Sequence, residues 1–222
     1  MRAAVLAAVL ALAVTTTTTP SVYAQVVEGP SRTFTARDLF GLQQVSDPQV
    51  RPDGGAVAYV RVRNDIMTDR AQRSIWLADL ATGAQSPLVV EEGASFAPRW
   101  SPDGTRLAYV AAQPGQSPQL YVRWVATGRS AKAATLEQAP NDIAWSPDGK
   151  TLAFTMLELD EPKPLGAPLK KPEGAKWAEP LKVIDRVNYR FDGQGFLKPG
   201  FRQVFVVPAD GGQPRQLTFG RL

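Results

Sequence analysis

The chain has 222 residues, 44% hydrophobic and 21% charged, a composition typical of a globular protein with one domain of ordinary size. The formal net charge is only +4, and the basic residues form no stripe of the kind that binds nucleic acid. There is no cysteine and no histidine. Disulfides, thiolate metal sites, a cysteine nucleophile and a Ser-His-Asp triad within these residues are therefore excluded.

Residues 1–24 have the pattern of a secretory signal peptide. Arg2 supplies a positive charge ahead of the apolar run 3–14, which is too short to span a bilayer. Val22-Tyr23-Ala24 fits a cleavage site, so a cut between Ala24 and Gln25 is predicted. The alternative, an uncleaved membrane anchor, is disfavoured by the length of the run. We expect an exported protein, periplasmic or secreted, without a membrane anchor.

Residues 25–44 are predicted to form a leader that contains a short helix. Thr35 fits the N-cap position and Asp38 follows three residues later, as in a capping box. Phe34 and Leu39 fit the positions of a hydrophobic staple. One or two helical turns are therefore expected just before the first repeat.

A Pro-Asp-Gly motif recurs in the same frame, at Pro52-Asp53-Gly54, Pro102-Asp103-Gly104 and Pro147-Asp148-Gly149. Proline presets the second position of a type I turn, and aspartate can bond to the local backbone. Glycine adopts the left-handed conformation that closes a hairpin with a bulge. The spacings of 50 and 45 residues are typical of β-propeller blades.

The strand after each turn is apolar on both faces, at residues 57–60, 107–110 and 152–155. A sheet with one wet face would alternate, so we expect each of these strands to lie between two neighbouring sheets. Each strand contains an alanine followed by an aromatic residue, as Ala58-Tyr59, Ala108-Tyr109 and Ala153-Phe154. The alanines are predicted to mark the closest approach of adjacent blades.

A second hairpin completes each repeat, with aromatic residues at Trp76, Tyr121 and Phe205. A turn glycine follows each of them, at Gly83, Gly128 and Gly212. Two hairpins make four strands, the number in a propeller blade. A helical repeat is disfavoured because glycine and proline interrupt every run.

The predicted fold class is all-β: a partial β-propeller of about three four-stranded antiparallel blades, preceded by the signal peptide and the short helix. The propeller region is 45–222, with blades at about 45–92, 93–138 and 139–222 and an insertion at about 158–200. The insertion joins the second and third strands of the third blade, so it is expected at the end opposite the Pro-Asp-Gly turns. Insertions at one end of a repeat protein often shape a binding surface.

The later part of the insertion is aromatic and basic, with Arg186, Tyr189 and Arg190. These side chains could face a cavity, or they could attach the insertion to its blade through aromatic packing and arginine–carboxylate pairs. We favour the attachment role.

Three blades do not close a ring, since propellers need about four to eight. An open stack leaves the apolar faces of its end blades in water. We therefore expect these residues to be the N-terminal part of a longer protein. The alternative is a three-bladed unit that closes by oligomerisation.

Several segments resemble bacterial prolyl oligopeptidase family serine peptidases, in the branch of the acylaminoacyl-peptidases and dipeptidyl-peptidases. The segments that carry this resemblance are 36–39, 45–54, 185–190, 192–196, 203–212 and 214–218. The resemblance implies an exported serine peptidase in which a propeller caps an α/β-hydrolase domain and admits only short peptides. The implied partners are short peptide substrates and that hydrolase domain; no nucleic acid partner is expected.

The resemblance assigns no catalytic residue to this chain. Its serine would lie on a Gly-x-Ser-x-Gly elbow, and the segment from Gly115 through Ser117 lacks the last glycine of that motif. Glu91-Glu92 is the one pair of adjacent glutamates and could anchor a substrate amino terminus, but its surroundings do not match such a motif and a solvated turn is favoured. We assign no catalytic, cofactor-binding or metal-binding residue, and the chain alone is expected to be inactive.

Two other functions stay open. One is a non-catalytic periplasmic TolB-like propeller for protein–protein interaction, although about 20 residues between the signal peptide and the first blade leave no space for the domain that precedes such a propeller. The other is an enzyme with its active site in the propeller channel, which would need clustered histidine or acidic ligands.

Overall fold

A computed structural model describes residues 33–91, 93–160, 169–178, 184, 187–192 and 195–220. The predicted signal peptide with its cleavage after Ala24, Glu92 and Arg186 lie outside these described residues. The chain divides into two units, Met1–Thr35 and Ala36–Leu222, and all the features below belong to the second unit. None of the helices described has the length and apolar character needed to cross a membrane.

A short helix opens the second unit, where the sequence predicts one. It is a 3₁₀ helix at Ala36–Gly41. The tighter winding is expected of so short a segment, because an α-helix gains little from one or two turns. The Asn64 side-chain amide donates to the Leu39 carbonyl oxygen at 3.0 Å, which attaches the helix to the first sheet.

Three four-stranded antiparallel sheets follow, as predicted. The first contains β1 to β4, at Gln43–Val50, Ala56–Asp65, Arg70–Asp79 and Gln85–Val89. The second contains β5 to β8, at Ala94–Trp100, Arg106–Ala112, Gln119–Trp124 and Arg129–Lys132. Strand order follows chain order in both sheets.

The third sheet is interrupted by the insertion. Its strands are β9 at Asn141–Trp145, β10 at Thr151–Leu159, β13 at Gly200–Pro208 and β14 at Arg215–Gln216. Between β10 and β13 the chain forms a separate two-stranded hairpin, β11 at Arg190–Phe191 and β12 at Gly195–Phe196. The third sheet is thus built like the other two, with the order β9-β10-β13-β14.

The Pro-Asp-Gly turns have one geometry in all three copies, as their residues predict. The glycines have positive φ angles of 73°, 68° and 67° at Gly54, Gly104 and Gly149. Each glycine amide donates to the carbonyl three residues earlier, at 2.8, 2.9 and 2.9 Å. Each aspartate accepts the amide two residues later, at 2.9, 3.1 and 3.0 Å. Side chain and backbone therefore close the hairpin together.

The aromatic residues of the two hairpins in each sheet lie directly opposite one another. The cross-strand pairs are Tyr59–Trp76, Tyr109–Tyr121 and Phe154–Phe205. The last two pairs stack, with ring centroids 5.6 and 5.8 Å apart. These pairs fix the register of the two central strands.

The second turn of the third sheet differs from the prediction. Gly83 and Gly128 have positive φ, but in the third sheet the positive φ is at Gly211 and not at Gly212. The reason is a tighter turn: the Gly211 amide donates to the Pro208 carbonyl oxygen three residues back, whereas the Gly83 amide reaches four residues back to Asp79. The Gly212 amide instead donates to the carbonyl oxygen of Ala133, the residue that follows the last strand of the second sheet, at 3.1 Å.

The core lies between the sheets, and the central strand β6 is buried on both faces. One apolar cluster joins the first and second sheets through residues that include Ala58, Val60, Leu107, Tyr109 and Ala111. A second cluster joins the second and third sheets through residues that include Ala108, Val110, Leu152, Phe154 and Phe205. The prediction of two covered faces is therefore confirmed for β6.

Within the described residues only one face of β10 is covered, as expected for an end blade of an open stack of three. Leu152, Phe154 and Met156 are buried towards the second sheet. The intervening side chains are half-exposed, at Thr151, Ala153, Thr155 and Leu157. Ala58 and Ala108 are fully buried between blades, as expected, but Ala153 lies on a face against which the described residues place no further sheet.

Candidate functional site

The two ends of the sheets carry different connections. The Pro-Asp-Gly turns join β1 to β2, β5 to β6 and β9 to β10 at one end. Because neighbouring strands are antiparallel, the next connections lie at the other end, which we call the loop end. It comprises residues 66–69, residues 113–118 and the long connection between β10 and β13. The insertion therefore belongs to the loop end, as predicted from the strand directions.

Cavities of substantial size open at the loop end of the first two blades. The first has a volume of about 370 Å³ and is lined by Gln43, Arg61, Arg63, Gln72, Arg73, Ser74, Trp76, Val90, Glu91 and Gly93. The second, of about 830 Å³, shares Gln72, Glu91 and Gly93 with the first. It continues along 112–115 of the second blade. The two cavities therefore adjoin.

Gly93 forms the point where the two cavities meet, and only glycine fits there. Its φ is +99°, and an added Cβ would overlap the carbonyl oxygen of Ala112. The link between the first and second blades can therefore cross close to the end of β6. Glu91 and Gly93 line both cavities.

Two arginines of β2 project into the first cavity, and each is oriented by a glutamine. Arg61 lies over the Trp76 ring, 4.3 Å from its centroid, and its Nε donates to Gln43 Oε1 at 2.6 Å. Arg63 donates from Nε and Nη2 to Gln72 Oε1 at 2.9 and 2.7 Å. Across the described residues, neither guanidinium has a carboxylate within ion-pair distance. The glutamines position these charges but do not neutralise them.

Two acidic residues lie near the first cavity: Asp65, which is held in its ionised form, and Glu91, which lies at the edge of the cavity. The Met67 amide and the Thr68 hydroxyl donate to Asp65, and they hold the pKa of that carboxyl below its usual value; Arg63 adds to the effect. Asp65 also accepts Gln72 Nε2 at 2.8 Å, which fixes the amide that orients Arg63. Asp65 is not among the residues that line the cavity, where three arginines, Arg61, Arg63 and Arg73, outnumber the single carboxylate of Glu91.

Glu91 belongs to the pair considered for anchoring an amino terminus. Its side chain is exposed and accepts the Tyr109 hydroxyl at 3.3 Å. Burial raises the pKa of Tyr109 to about 12, so that hydroxyl stays a donor at neutral pH. Glu91 thus lies at the margin of the cavity, beside three arginines that line it.

Two of the insertion residues singled out from the sequence lie in the small hairpin of the insertion. The Tyr189 ring lies 6.0 Å from the Phe196 ring, and the Arg190 guanidinium lies 6.0 Å from the same ring. These contacts are internal to the insertion and do not reach its blade. One hydrogen bond joins the insertion to another part of the chain: Lys198 Nζ donates to Gln138 Oε1 at 2.9 Å. Gln138 lies in the segment that follows the second sheet.

Within the described part of the chain, no group of three histidine, cysteine, aspartate or glutamate side chains is placed to hold a metal ion. The arginine cluster was not predicted. The signal was present as two arginines at alternate positions of β2, Arg61 and Arg63, which a strand must place on one face. What the sequence did not show is that β3 would bring Gln72 and Trp76 beside them.

Comparison with known proteins agrees with this fold. Residues 39–162 match the TolB beta propeller domain. The chain is 30% identical over 185 residues to the uncharacterized peptidase YuxL of Bacillus subtilis, covering 83% of this chain and 28% of that protein. It is 35% identical over 108 residues to the Tol-Pal system protein TolB of Polaromonas, covering 47% of this chain and 25% of that protein.

A solved structure with the same fold is the acylaminoacyl peptidase of Pyrococcus horikoshii. The TM-score is 0.57 at 22% identity, over 77% of this chain and 24% of that one. The chain thus spans about a quarter of the length of these relatives. The resemblance to the propeller of peptidases is confirmed, and the domain match covers more than half of the residues. The chain belongs to the TolB β-propeller domain family.

Proposed function

We propose that this chain is the substrate-gating propeller portion of an exported serine peptidase that hydrolyses short peptides. The observation that carries the proposal is the 30% identity to a protein named as a peptidase over 83% of the chain. The matches to TolB proteins cover 47% and 33% of the chain. The likeness to a peptidase thus extends over more of the chain.

The physical basis of gating is steric exclusion. Propeller blades are rigid sheets packed face to face, and apolar clusters are buried between these three sheets. A ring built from such blades presents a fixed opening that an extended peptide can enter and a folded protein cannot. Selection by size then needs no catalytic residue in the propeller.

The chemistry of the proposed enzyme belongs outside these residues. The chain has no histidine, so a serine, aspartate and histidine on an α/β-hydrolase domain would act on the peptide. The propeller and that domain would contact each other within one polypeptide. The signal-like pattern of residues 1–24 supports export to the periplasm or beyond.

The test is to express the complete reading frame and treat it with a fluorophosphonate probe that labels an activated serine. We expect labelling, together with hydrolysis of chromogenic acylaminoacyl or dipeptidyl substrates. A folded protein that contains the same cleavable sequences should not be hydrolysed until it is denatured. The 222-residue chain alone serves as the control and should neither be labelled nor hydrolyse a peptide. A complete protein that is not labelled would contradict the proposal.

A TolB-like interaction propeller is the second candidate, and the domain match to residues 39–162 favours it. The same experiment separates the two functions. A reading frame without a hydrolase domain, giving a folded and unlabelled protein, would support the interaction role.

A further inference from the structure

We propose that the first strand of the third blade is a docking edge for a further propeller blade. This edge, which we call the β9 edge, presents two acceptors, the Ala144 carbonyl oxygen and the Asp142 carboxylate. The blade that fits it brings a tryptophan indole to the carbonyl oxygen and a basic side chain to the carboxylate. The inference goes beyond the proposed function, because it holds for a peptidase propeller and for an interaction propeller alike.

A hydrogen bond from an indole recurs between neighbouring blades. Trp100 Nε1 in the second blade donates to the Gln49 carbonyl oxygen of the first at 3.0 Å. Trp145 Nε1 in the third blade donates to the Arg99 carbonyl oxygen of the second at 2.9 Å. Each acceptor is the second-to-last residue of the first strand of its blade. Ala144 is the equivalent residue of the third blade, and no indole within the described part of the chain donates to it.

The three carbonyl groups also share one register position. Each belongs to a residue opposite an alanine of the second strand, in the pairs Gln49–Ala58, Arg99–Ala108 and Ala144–Ala153. A carbonyl oxygen has two lone pairs, so pairing within the sheet still leaves one for an indole. Ala58 and Ala108 are fully buried where the next blade covers them, whereas Ala153 is half-exposed. The third blade therefore presents the same surface as the other two, without its cover.

A bulge in each first strand sets the position of a side chain towards the next blade. The pairing is irregular two residues before each acceptor carbonyl, where φ is 49°, 53° and 49° at Asp47, Ala97 and Asp142. In the first blade this geometry places Asp47 Oδ2 2.8 Å from Arg99 Nη1 of the second blade. Asp142 accepts the Thr155 hydroxyl at 2.6 Å on its own sheet. Among the described residues, no basic side chain lies within ion-pair distance of it.

The second and third blades show what happens where the carboxylate is missing. The bulge residue of the second blade is Ala97, and the third blade has Ala144 where the second has Arg99. The basic residue is thus present where the preceding blade offers a carboxylate and absent where it does not. Because Asp142 restores the carboxylate, we expect the blade that docks on the β9 edge to carry a basic residue at this position.

A second copy of the chain does not supply these donors. Its first blade would bring Gln49 and Val50 to the two positions that carry the basic residue and the tryptophan. The valine side chain has no donor for the Ala144 carbonyl oxygen, and glutamine brings no charge to Asp142. We therefore expect the β9 edge to dock a blade of the same polypeptide and not the first blade of another copy.

The first test is the sequence of the next Pro-Asp-Gly repeat in the complete reading frame. Trp100 and Trp145 lie two positions before the proline of their repeats. We expect a tryptophan at this position in the next repeat, directly preceded by arginine or lysine. A repeat that lacks either residue would overturn the contact to which that residue belongs. A reading frame without a further repeat would overturn both contacts.

The second test is amide hydrogen exchange of the complete protein, followed by mass spectrometry in peptides from residues 141–159. Exchange in this segment reports local opening of β9 and β10. Asp142→Asn should increase the exchange rate about three- to tenfold, because the charge that holds the basic residue is lost. Phenylalanine in place of the new tryptophan should have an effect of similar size. Asp192→Asn removes an exposed carboxylate from the insertion and should leave this exchange unchanged.

A double-mutant cycle separates the ion pair from a general loss of charge. In a variant whose new basic residue is replaced by glutamine, Asp142→Asn should cause no further increase in exchange. Additive increases would overturn the pairing, and so would an unchanged exchange rate for Asp142→Asn alone. Unchanged exchange in the tryptophan variant would overturn the indole contact. Exchange needs no turnover, so a protein that shows the coupling but no fluorophosphonate labelling would contradict the proposed peptidase and not the docking edge.

Discussion

At the scale of single residues, the Pro-Asp-Gly turns show how different side chains perform one task. In the second and third blades a serine hydroxyl donates to the turn aspartate at 2.5 Å, from Ser101 to Asp103 and from Ser146 to Asp148. In the first blade Arg51 takes the place of the serine, and its Nε donates to Asp53 at 2.7 Å. The substitution visible in the sequence is therefore conservative in function, because the aspartate still receives a donor from the residue two positions before it.

These donors make the turns sensitive to acid. The Ser101 hydroxyl, with the Thr105 amide, lowers the pKa of Asp103 to about 2 from an ordinary value of 3.8. A carboxyl with a lower pKa in the folded state stabilises the fold fully above its unfolded pKa. That stability is lost as the pH falls from about 4 to about 2. The pKa values of Asp53 and Asp148 are lowered by the same kinds of contact, so their turns lose stability in the same direction.

Ser101→Ala should raise the pKa of Asp103 towards 3.8 and reduce the loss of stability between pH 4 and pH 2. The measurements are carboxyl titration by NMR and urea unfolding at both pH values. The variant also loses a buried hydrogen bond from the Arg106 amide at every pH, so the informative quantity is the difference between the two pH values. Ser117→Ala, in an exposed loop, is the control. An unchanged pKa for Asp103 would contradict the assignment of the serine as the main cause.

At the scale of the strand, adjacent blades are joined by a repeated hydrogen bond from tryptophan. Trp100 Nε1 donates to the Gln49 carbonyl oxygen at 3.0 Å, and Trp145 Nε1 donates to the Arg99 carbonyl oxygen at 2.9 Å. Each tryptophan thus bonds to the residue one position earlier in the preceding blade. Val50 occupies the matching position in the first blade and has no such donor.

Trp100→Phe should lower the free energy of unfolding by about 1–2 kcal/mol, because the indole donor is lost and the Gln49 carbonyl is left without it. Trp177→Phe, at a half-exposed position in the insertion, should change stability by less than about 0.5 kcal/mol. Urea unfolding followed by circular dichroism measures both. Equal effects of the two substitutions would show that the bond between blades contributes nothing measurable.

Features set by local chemistry were the ones predictable from the sequence: the turns, the aromatic pairs and the number of strands in each sheet. The bulges of the first strand of each blade were not predicted. Their positive φ angles, 49°, 53° and 49°, fall at Asp47, Ala97 and Asp142. Aspartate tolerates this conformation without requiring it, and alanine rarely adopts it, so the residue types alone do not indicate the bulges. The cluster of Arg61 and Arg63 with Gln43, Gln72 and Trp76 was missed for a related reason, since it depends on the pairing of β2 with β1 and β3 and not on neighbours in the chain.

At the scale of the whole molecule, the three sheets are not equally covered. The second sheet has a neighbour on each face, and its strand β6 is buried from Leu107 to Ala111. The outward face of the third sheet carries half-exposed side chains, among them Ala153, Thr155, Val204 and Val206. Apolar sheet faces of this kind promote association in water unless something covers them.

This face predicts how residues 25–222 behave when they are purified alone. We expect them to self-associate in sedimentation velocity and to show no peptidase activity. Val206→Lys should increase the monomeric fraction severalfold, because association would bury an unpaired ammonium group. Thr135→Lys adds the same charge at an exposed position elsewhere and should leave association unchanged. Val207→Lys, one residue from Val206 but fully buried against the second sheet, should unfold the protein instead. A monodisperse, cooperatively melting monomer without any substitution would mean that the uncovered face costs little, and the inference of further blades from that face would lose its physical basis.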